Sequence, residues 1–343
     1  MSRYGSPIIA VRRGAYLLLV AALTFAGGRP TQGEETGVKA DNTPTVGAPL
    51  TVKERRMELS GCAVVDGGVL VVEDELIGAV LLLEHLRAAP LELSTVKLER
   101  KKKARAPYAD AFKLFPFQDF EDIASDGATQ VYFIGSHQGK DGERRPDREF
   151  LLHGEWDEKD RELKVVGEQY GLLEMIAPAL ERLGCAVGLS ATEVNPNLNI
   201  EGLALNGAQL FIGFRAPLTA DGKAILLSTA ATSALAGKGT VDHAVMELDG
   251  GGIRALDWDP VRGRLLIISG ASGEASGGAP SAALWEYDPA TGVTSKMLEF
   301  EPELARKSPE GVCRLPEQAG GRLLVVLDGE GSESGAEFIE IED

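Results

Sequence analysis

The chain has 343 residues, of which 44% are hydrophobic and 25% are charged, and its formal net charge at pH 7 is -17. This length and apolar content suffice for one large domain or two ordinary ones with a buried core. The negative charge argues against a nucleic-acid-binding protein, since phosphate binding needs a surplus of Lys and Arg. It favours cations or cationic partners. The 41 glycines and 17 prolines are typical of a turn-rich all-β chain.

The N-terminal residues 1–26 predict a secretory signal peptide. Several arginines precede an apolar run, AYLLLVAALTFA from Ala15 to Ala26, that is too short to span a bilayer. Thr24 and Ala26 are small residues that suit cleavage before Gly27. We therefore expect a periplasmic or secreted protein. No later segment is long and apolar enough to predict a membrane span.

Five later stretches repeat one short template. Each begins with an apolar residue or Pro, continues through a polar or charged residue and a small or acidic one, and then runs apolar through a turn into a second apolar run. The residues at the second template position are Ser60, Glu121, Glu201, Arg254 and Glu310. Such a repeated two-strand unit predicts an all-β fold, a β-propeller. Five blades are recognisable, and the wide gap between Glu121 and Glu201 leaves room for a sixth.

The repeats also set the expected domain boundaries. Residues 27–47 are rich in Gly, Thr, Pro and Asp and predict a disordered linker. Residues 48–343 would then form the propeller. Its last unit ends at EFIEIE from Glu337 without a fourth strand, and residues 50–59 (LTVKERRMEL) are placed to supply one. We expect this N-terminal strand to close the ring, which removes an exposed sheet edge.

The gap before Glu201 contains a predicted helix. The segment YGLLEMIAPALERL, from Tyr170 to Leu183, has apolar residues at helical spacing. Pro178 lies inside it, so a kinked or split helix is expected.

The chain has three cysteines, Cys62, Cys185 and Cys313, so at most one intramolecular disulfide can form. Cys62 and Cys313 lie in corresponding strands of the first and last units, which a closed ring would bring together. Two readings stay open for this pair, a disulfide bridge or two buried apolar thiols.

The repeated segments resemble a bacterial family, domain-of-unknown-function family 3616. The segments that carry the resemblance are LSGCAVVDGGVLVVEDE, FEDIASDG, NIEGLALNG with LFIGFRAPL, IRALDWDPVRGRLLIISG, and SPEGVCRLP with RLLVVLDG. They cover roughly residues 57–343, and the resemblance implies a secreted or periplasmic propeller without an established reaction. More loosely, the Glu-Gly strand starts are similar to those of phytase-like esterase and gluconolactonase-type propellers. There, a Glu near the channel helps to bind a divalent cation.

The template predicts where chemistry can occur, because the first strand of each propeller blade lines the central channel. Glu121, Glu201 and Glu310 would direct three carboxylates to one space, where their mutual repulsion needs a compensating charge. Ca²⁺, which takes about six to eight oxygen ligands, is one compensator, and these three residues are its predicted ligands. The alternative is a structural role in which Arg254 and Arg215 pair with the carboxylates.

The ends of the second strands predict a second ring of polar residues. Ligand-binding candidates there and beside Arg254 are Asp74, Glu75, Ser136, Asp257 and Asp328. The catalytic candidates are His137, Arg215 and Arg254. His137 is either an acid or base at the channel mouth or a hydrogen-bonded loop residue. Arg215 either clamps an anionic ligand or pairs with a channel Glu.

Two functions remain open at this point. One is a metal-assisted hydrolase that acts on an anionic small molecule, such as a phosphoester, an ester or a lactone. The alternative is a non-catalytic propeller scaffold that binds a ligand or a protein at its face. The sequence contains no G-x-S-x-G, H-E-x-x-H or P-loop motif to decide between them. A monomer is expected.

Overall fold

A computed structural model describes residues 44–48, 50–51, 57–74, 80–84, 91–100, 117–272, 281–316, 321–328 and 337–342. The predicted signal peptide, most of the predicted linker and Glu75 lie outside these ranges.

Almost every described element is a strand that belongs to one of five sheets. The chain enters with β1 (Thr45–Val46) and β2 (Leu50–Thr51), which join the last sheet. Blade 1 then consists of β3 (Leu59–Val65), β4 (Gly68–Glu73), β5 (Val80–Leu83) and β6 (Leu93–Thr95). The short β7 (Lys97–Arg100) leads into blade 2 and pairs in parallel with that blade's outer strand.

The remaining blades follow in chain order. Blade 2 consists of β8 (Phe120–Ser125), β9 (Gln130–Gly135), β10 (Leu151–Asp157) and β11 (Glu162–Gln169). Blade 3 consists of β12 (Asn199–Asn206), β13 (Gln209–Ala216), β14 (Ala224–Ala230) and β15 (Asp242–Met246). Blade 4 consists of β16 (Gly252–Asp259), β17 (Arg264–Gly270), β18 (Ala283–Asp288) and β19 (Val293–Glu299). Blade 5 consists of β20 (Pro309–Arg314), β21 (Leu323–Leu327) and β22 (Glu337–Glu342), with β1 and β2 outside β22.

The five blades form a closed ring. In blades 1 to 4 the four main strands are antiparallel neighbours in chain order, whereas in blade 5 β1 and β2 take the outer position beside β22. The inner strands touch in the order β3, β8, β12, β16 and β20, and β20 returns to β3. The predicted β-propeller is therefore confirmed with five blades.

The long segment before blade 3 holds a helix, and the described residues there form no sixth blade. Helix α1 (Leu172–Arg182) runs unbroken through Pro178, so the predicted helix is present and is not split. Its buried face, with Ile176 and Leu180, packs in one core cluster with residues of blades 2 and 3. Two shorter helices follow, α2 (Ala231–Ala236) and α3 (Pro302–Ala305).

The N-terminal strands close the ring as predicted: β2 is the start of the predicted segment 50–59, and β1 lies before that segment. Leu50 is opposite Phe338 in the antiparallel pairing of β2 with β22. Thr45 is opposite Glu342 in the pairing of β1 with β22, and Gly47 N–H donates to the Glu340 carbonyl at 2.8 Å between them. This pairing spans the whole of β22. Leu59, the last residue of the predicted segment, instead starts the inner strand of blade 1, and residues 52–56 lie outside the described ranges.

The second strand of each blade is apolar on both faces because it lies between two neighbouring blades. In β4, residues 69–72 are all at most 2% exposed. This double burial explains why the second runs of the template read as continuous apolar stretches without polar alternation.

Blades 1 and 5 meet at the two cysteines that ring closure was expected to bring together. Cys62 and Cys313 are buried free thiols whose sulfur atoms are 3.1 Å apart. Burial raises the pKa of Cys62 well above its ordinary value. The thiols therefore stay protonated at neutral pH and pack as part of the apolar seam.

Candidate functional site

The repeated template position is a β-bulge in every blade. In each pairing of the first and second strands, the register shifts at this point in the first strand. The residues at the shift are Ser60, Glu121, Glu201, Arg254 and Glu310. A bulge bends its strand and re-aims a side chain, and bulges are frequent beside active sites. We call the corresponding end of the central channel the bulge end.

Glu201 is the centre of an ion-pair network at the bulge end. Its Oε1 accepts hydrogen bonds from Arg215 Nη1 at 2.8 Å and from Asn199 Nδ2 at 2.7 Å. Its Oε2 accepts one from Arg254 Nε at 3.1 Å. Arg254 also donates through Nη2 to the Glu310 carboxylate. Two of the three predicted metal ligands are therefore held by guanidinium groups, as the structural alternative predicted.

Among the described residues, two neighbouring carboxyl groups form no ion pair with a guanidinium group. Burial, followed by the charge of Glu201, raises the pKa of Glu121 well above its ordinary value. Burial and the charge of Glu310 raise the pKa of Asp74 to about 9, and Asp74 Oδ1 has no hydrogen-bond partner within the described chain. Asp74 therefore holds a proton at neutral pH and can donate a hydrogen bond, and the raised pKa of Glu121 favours its protonated form.

The pKa of Glu310 lies between its ordinary value and that of Asp74. Burial raises its pKa to about 7, although the adjacent guanidinium of Arg254 opposes the shift. Burial disfavours the charge of Arg254, but Glu310 and Glu201 raise its pKa above the ordinary value. We refer to Asp74, Glu121, Glu201, Arg215, Arg254 and Glu310 as the carboxyl–arginine cluster.

The predicted calcium ligands do not fit a calcium site in this arrangement. Oxygen atoms of Glu201 and Glu310 point at guanidinium nitrogens, which occupy the space where a cation would need to lie. Among the described residues, no group of three or more His, Cys, Asp and Glu side chains is placed to hold a metal ion. Calcium binding stays a prediction that the melting experiments below can test.

Arg215 is the most accessible cation of the cluster. Its Nη1 is held by Glu201 and its Nε donates to the Ala271 carbonyl at 3.1 Å. Its Nη2 makes no hydrogen bond to any described residue, and 30% of the side chain is exposed. Arg215 thus pairs with a channel Glu and still presents one donor edge at the bulge end.

His137 does not join this cluster. It is fully buried with a φ of +56°, and its Nδ1 lies 2.7 Å from the Gly135 carbonyl oxygen. Burial lowers its pKa, and the charge with the largest opposing effect is that of Glu149, which lies outside the carboxyl–arginine cluster. The left-handed backbone turns the side chain away from the end of its strand, so His137 is a hydrogen-bonded loop residue.

Ser136, a predicted ligand contact, links two blades instead. Its hydroxyl donates to the Asp119 carboxylate, and its carbonyl accepts the Ile200 N–H of blade 3 at 2.9 Å. It is fully buried, so a ligand at the channel has no access to it.

Two other predicted ligand residues have different positions. Asp328 is 6% exposed at the bulge end, where its charge helps to raise the pKa of Asp74. Asp257, in contrast, lines a cavity at the other end of the channel, and its Oδ2 accepts the Arg314 N–H at 3.0 Å. Asp257 is three residues after Arg254 in the same strand. At the rise of an extended strand this places it about 10 Å from Arg254, away from the cluster.

Asp122 is a structural residue that the sequence reading missed. Its Oδ2 accepts the N–H of Leu203 in blade 3 at 2.7 Å and that of Leu256 in blade 4 at 3.2 Å. Corresponding template positions carry Gly or Ala because the axis is crowded, and a Cβ on Gly61 would lie 2.5 Å from Asp122 Oδ1. The sequence signal for this role was an Asp at a template position that carries Gly or Ala in the other four units.

Comparison with known proteins agrees with the family recognised above. Residues 181–337 match the family model described as protein of unknown function, DUF3616. The resemblance to this family is confirmed. No curated protein matches the chain.

Solved structures similar to the chain have low identity. A glucose dehydrogenase is 13% identical with a TM-score of 0.44, covering 87% of this chain and 100% of that one. An α-L-arabinofuranosidase from Podospora anserina, in complex with cellotriose, is 10% identical with a TM-score of 0.47, covering 88% and 97%. These values are too low to indicate a shared function.

In the described part of the chain, no helix has the length and hydrophobicity needed to cross a membrane.

Proposed function

We propose that the bulge end of the channel binds a small anionic molecule, with Arg215 as its principal anchor. The observation that carries this proposal is the arrangement of Arg215, which is fixed by Glu201 and Ala271 and keeps a donor edge exposed. A guanidinium held in one orientation loses little entropy on binding and matches the geometry of carboxylate and phosphate groups.

The neighbouring carboxyl groups support a ligand rich in oxygen atoms. With a pKa of about 9, Asp74 adds a hydrogen-bond donor rather than negative charge at neutral pH, and the raised pKa of Glu121 favours the same protonated form. A sugar acid or a phosphorylated sugar offers one anionic group for Arg215 and several hydroxyl or ether oxygens for these donors.

A binding experiment tests the proposal with defined probes. Gluconate, glucose 6-phosphate and inorganic phosphate are titrated calorimetrically at constant ionic strength, with sodium chloride as the background anion. We expect wild type to bind at least one probe and Arg215→Met to weaken that binding by about tenfold or more. Arg322→Met is the matched control, since Arg322 pairs with Glu340 and is 32% exposed, against 30% for Arg215.

The outcomes separate the two functional classes. If wild type binds none of the probes, or if both Met variants weaken binding equally, the anion-binding proposal is wrong. The alternative, a propeller that binds a protein partner at this face, would then be favoured.

Hydrolysis is a second candidate function, and the pKa of Glu310 favours it. A group with a pKa of about 7 can take a proton from an attacking water and return one to a leaving oxygen near neutral pH. Arg215 would stabilise the negative charge that develops on the reacting oxygen. Arg254 bridges two carboxylates and is 13% exposed, so its role would be to position Glu310.

Three chromogenic or lactone substrates test this chemistry: 4-nitrophenyl acetate, 4-nitrophenyl phosphate and glucono-δ-lactone. We expect turnover of one of them to follow a pH profile with an inflection near 7, and Glu310→Gln to remove it. Turnover that is equal in wild type and Glu310→Gln would exclude Glu310 as the acid or base.

We also propose that the protein is exported. The support is the sequence of residues 1–26, with arginines followed by a short apolar run. N-terminal sequencing of protein recovered from a bacterial periplasm should start near Gly27. Recovery of soluble protein that keeps residues 1–20 would contradict this proposal.

A further inference from the structure

The end of the channel opposite the bulge end opens into a cavity of about 540 Å³. Hairpin turns that follow the inner strands surround it, including the turns at Asp126 in blade 2 and Asn206 in blade 3. Cavities of roughly 300–1,000 Å³ are the usual size of small-molecule sites in proteins. We call it the turn-end cavity.

The wall of the turn-end cavity is largely apolar. It includes Leu205, Trp258, Val261 and Pro316. Val261 is 69% exposed, an unusual value for an apolar side chain beside a cavity. The Trp258 ring lies parallel to Phe211, with ring centroids 6.3 Å apart, which holds the indole in a defined position. The cavity therefore offers a fixed aromatic surface to an apolar group.

Asp257 is an acidic residue of this wall that a ligand can reach, since it lines the cavity. Asp257 accepts a backbone N–H from Arg314 but forms no ion pair with any described residue. The Arg314 guanidinium is directed elsewhere, with its Nε 2.7 Å from Asp259 and its Nη1 donating to the Gly321 carbonyl at 2.7 Å. Burial raises the pKa of Asp257 to about 7, so at pH 7.5 the larger fraction of this group is a carboxylate, and a bound cation would stabilise that form.

We propose that the turn-end cavity binds a small organic cation with an apolar body, such as an aralkyl ammonium. Its charged nitrogen would pair with Asp257, and its apolar body would pack against Trp258 and Leu205. Attraction of a cation by the face of the indole ring would add to this pairing. The net charge of -17 attracts such ligands at long range. This site lies at the opposite end of the channel from the proposed anion site and does not depend on it.

A matched pair of probes tests the proposal by calorimetry on the purified protein. 4-Phenylbutylamine is cationic at pH 7.5, whereas 4-phenylbutan-1-ol has nearly the same shape and no charge. We expect wild type to bind the amine about tenfold or more tightly than the alcohol. Asp257→Asn, which keeps the volume and an acceptor for Arg314, should reduce that preference to within about twofold.

A second variant protects the test against a folding defect in Asp257→Asn. Val261→Lys changes an exposed rim residue and should weaken amine binding while it leaves alcohol binding nearly unchanged. Asp221→Asn, which removes an exposed carboxylate outside the turn-end cavity, should bind the amine like wild type. If wild type does not prefer the amine, or if Val261→Lys weakens both probes equally, the proposal is overturned.

Discussion

The same five inner strands build two different ends of one channel. At the bulge end, each strand carries an extra residue, and the side chains of Glu201, Arg254 and Glu310 meet and hold one another in place. At the turn end, the strands finish regularly and their hairpins surround an open cavity. In this protein the bulges bring paired charges together on the channel axis, whereas the regular strand ends leave a cavity between the hairpins. We therefore expect stability to depend mainly on the first end.

The largest effect should follow from removing the charge of Glu201. Glu201→Gln leaves Arg215 and Arg254 with less compensation in a largely buried position, so the free energy of unfolding should fall by on the order of 3–5 kcal/mol. Denaturant unfolding measures this loss. Glu84→Gln is the control, since Glu84 pairs with Arg161 at an exposed site and should cost less than about 1 kcal/mol. Equal losses in the two variants would show that the bulge end is not a structural network.

An intermediate effect is expected on the pH dependence of stability. The pKa of Asp74 is raised from 3.8 to about 9, so between these values the folded state binds a proton that the unfolded state lacks. The contribution of Asp74 to the free energy of unfolding is thus highest below about pH 4 and falls as pH rises towards 9. Asp74→Asn should flatten this fall and make the variant more stable than wild type at pH 9.

Asp221→Asn is the control for this measurement, because the Asp221 side chain is exposed and bonds with Lys223 and Thr219 lower its pKa to about 2. Its contribution is lost only as pH falls towards 2, so this variant should follow the wild-type profile between pH 5 and 9. A wild-type stability that rises from pH 6 to 9, and is unaffected by Asp74→Asn, would contradict the assigned protonation.

The smallest effect is expected from calcium. Since arginines already compensate Glu201 and Glu310, added calcium and chelator should both leave the melting temperature of wild type unchanged. A calcium-dependent rise, lost in Glu201→Gln, would instead support the calcium site predicted from the sequence. Glu84→Gln should keep any such rise.

The fold was predictable because its signals are local and repeated. The strand pairs and the convergence of Glu121, Glu201 and Glu310 follow from the repeated template, and ring closure follows from the missing fourth strand of the last unit. The ion-pair partners were harder to predict, because Arg254 of blade 4 reaches Glu201 of blade 3 and Glu310 of blade 5. Such contacts depend on side-chain directions across blades, which the template does not contain.

Two predicted site residues lie outside the carboxyl–arginine cluster for similar physical reasons. His137 follows its strand in a left-handed conformation, which a simple alternation of strand residues cannot anticipate. Asp257 follows Arg254 closely in sequence, but the rise of an extended strand carries it to the other end of the channel. The turn-end cavity was not predicted at all, since its volume depends on how five separate hairpins are placed.

Asp122 limits how this protein can change its number of blades. Repeat proteins usually couple only adjacent units, so units can be gained or lost one at a time. The Asp122 carboxylate bonds to Leu203 in the next blade and to Leu256 in the blade beyond it. Inserting or deleting a blade would widen or narrow the axis and pull this carboxylate from one of the two amides. The two hydrogen bonds of this one side chain therefore fit a ring of five blades, and a ring of another size would lose one of them.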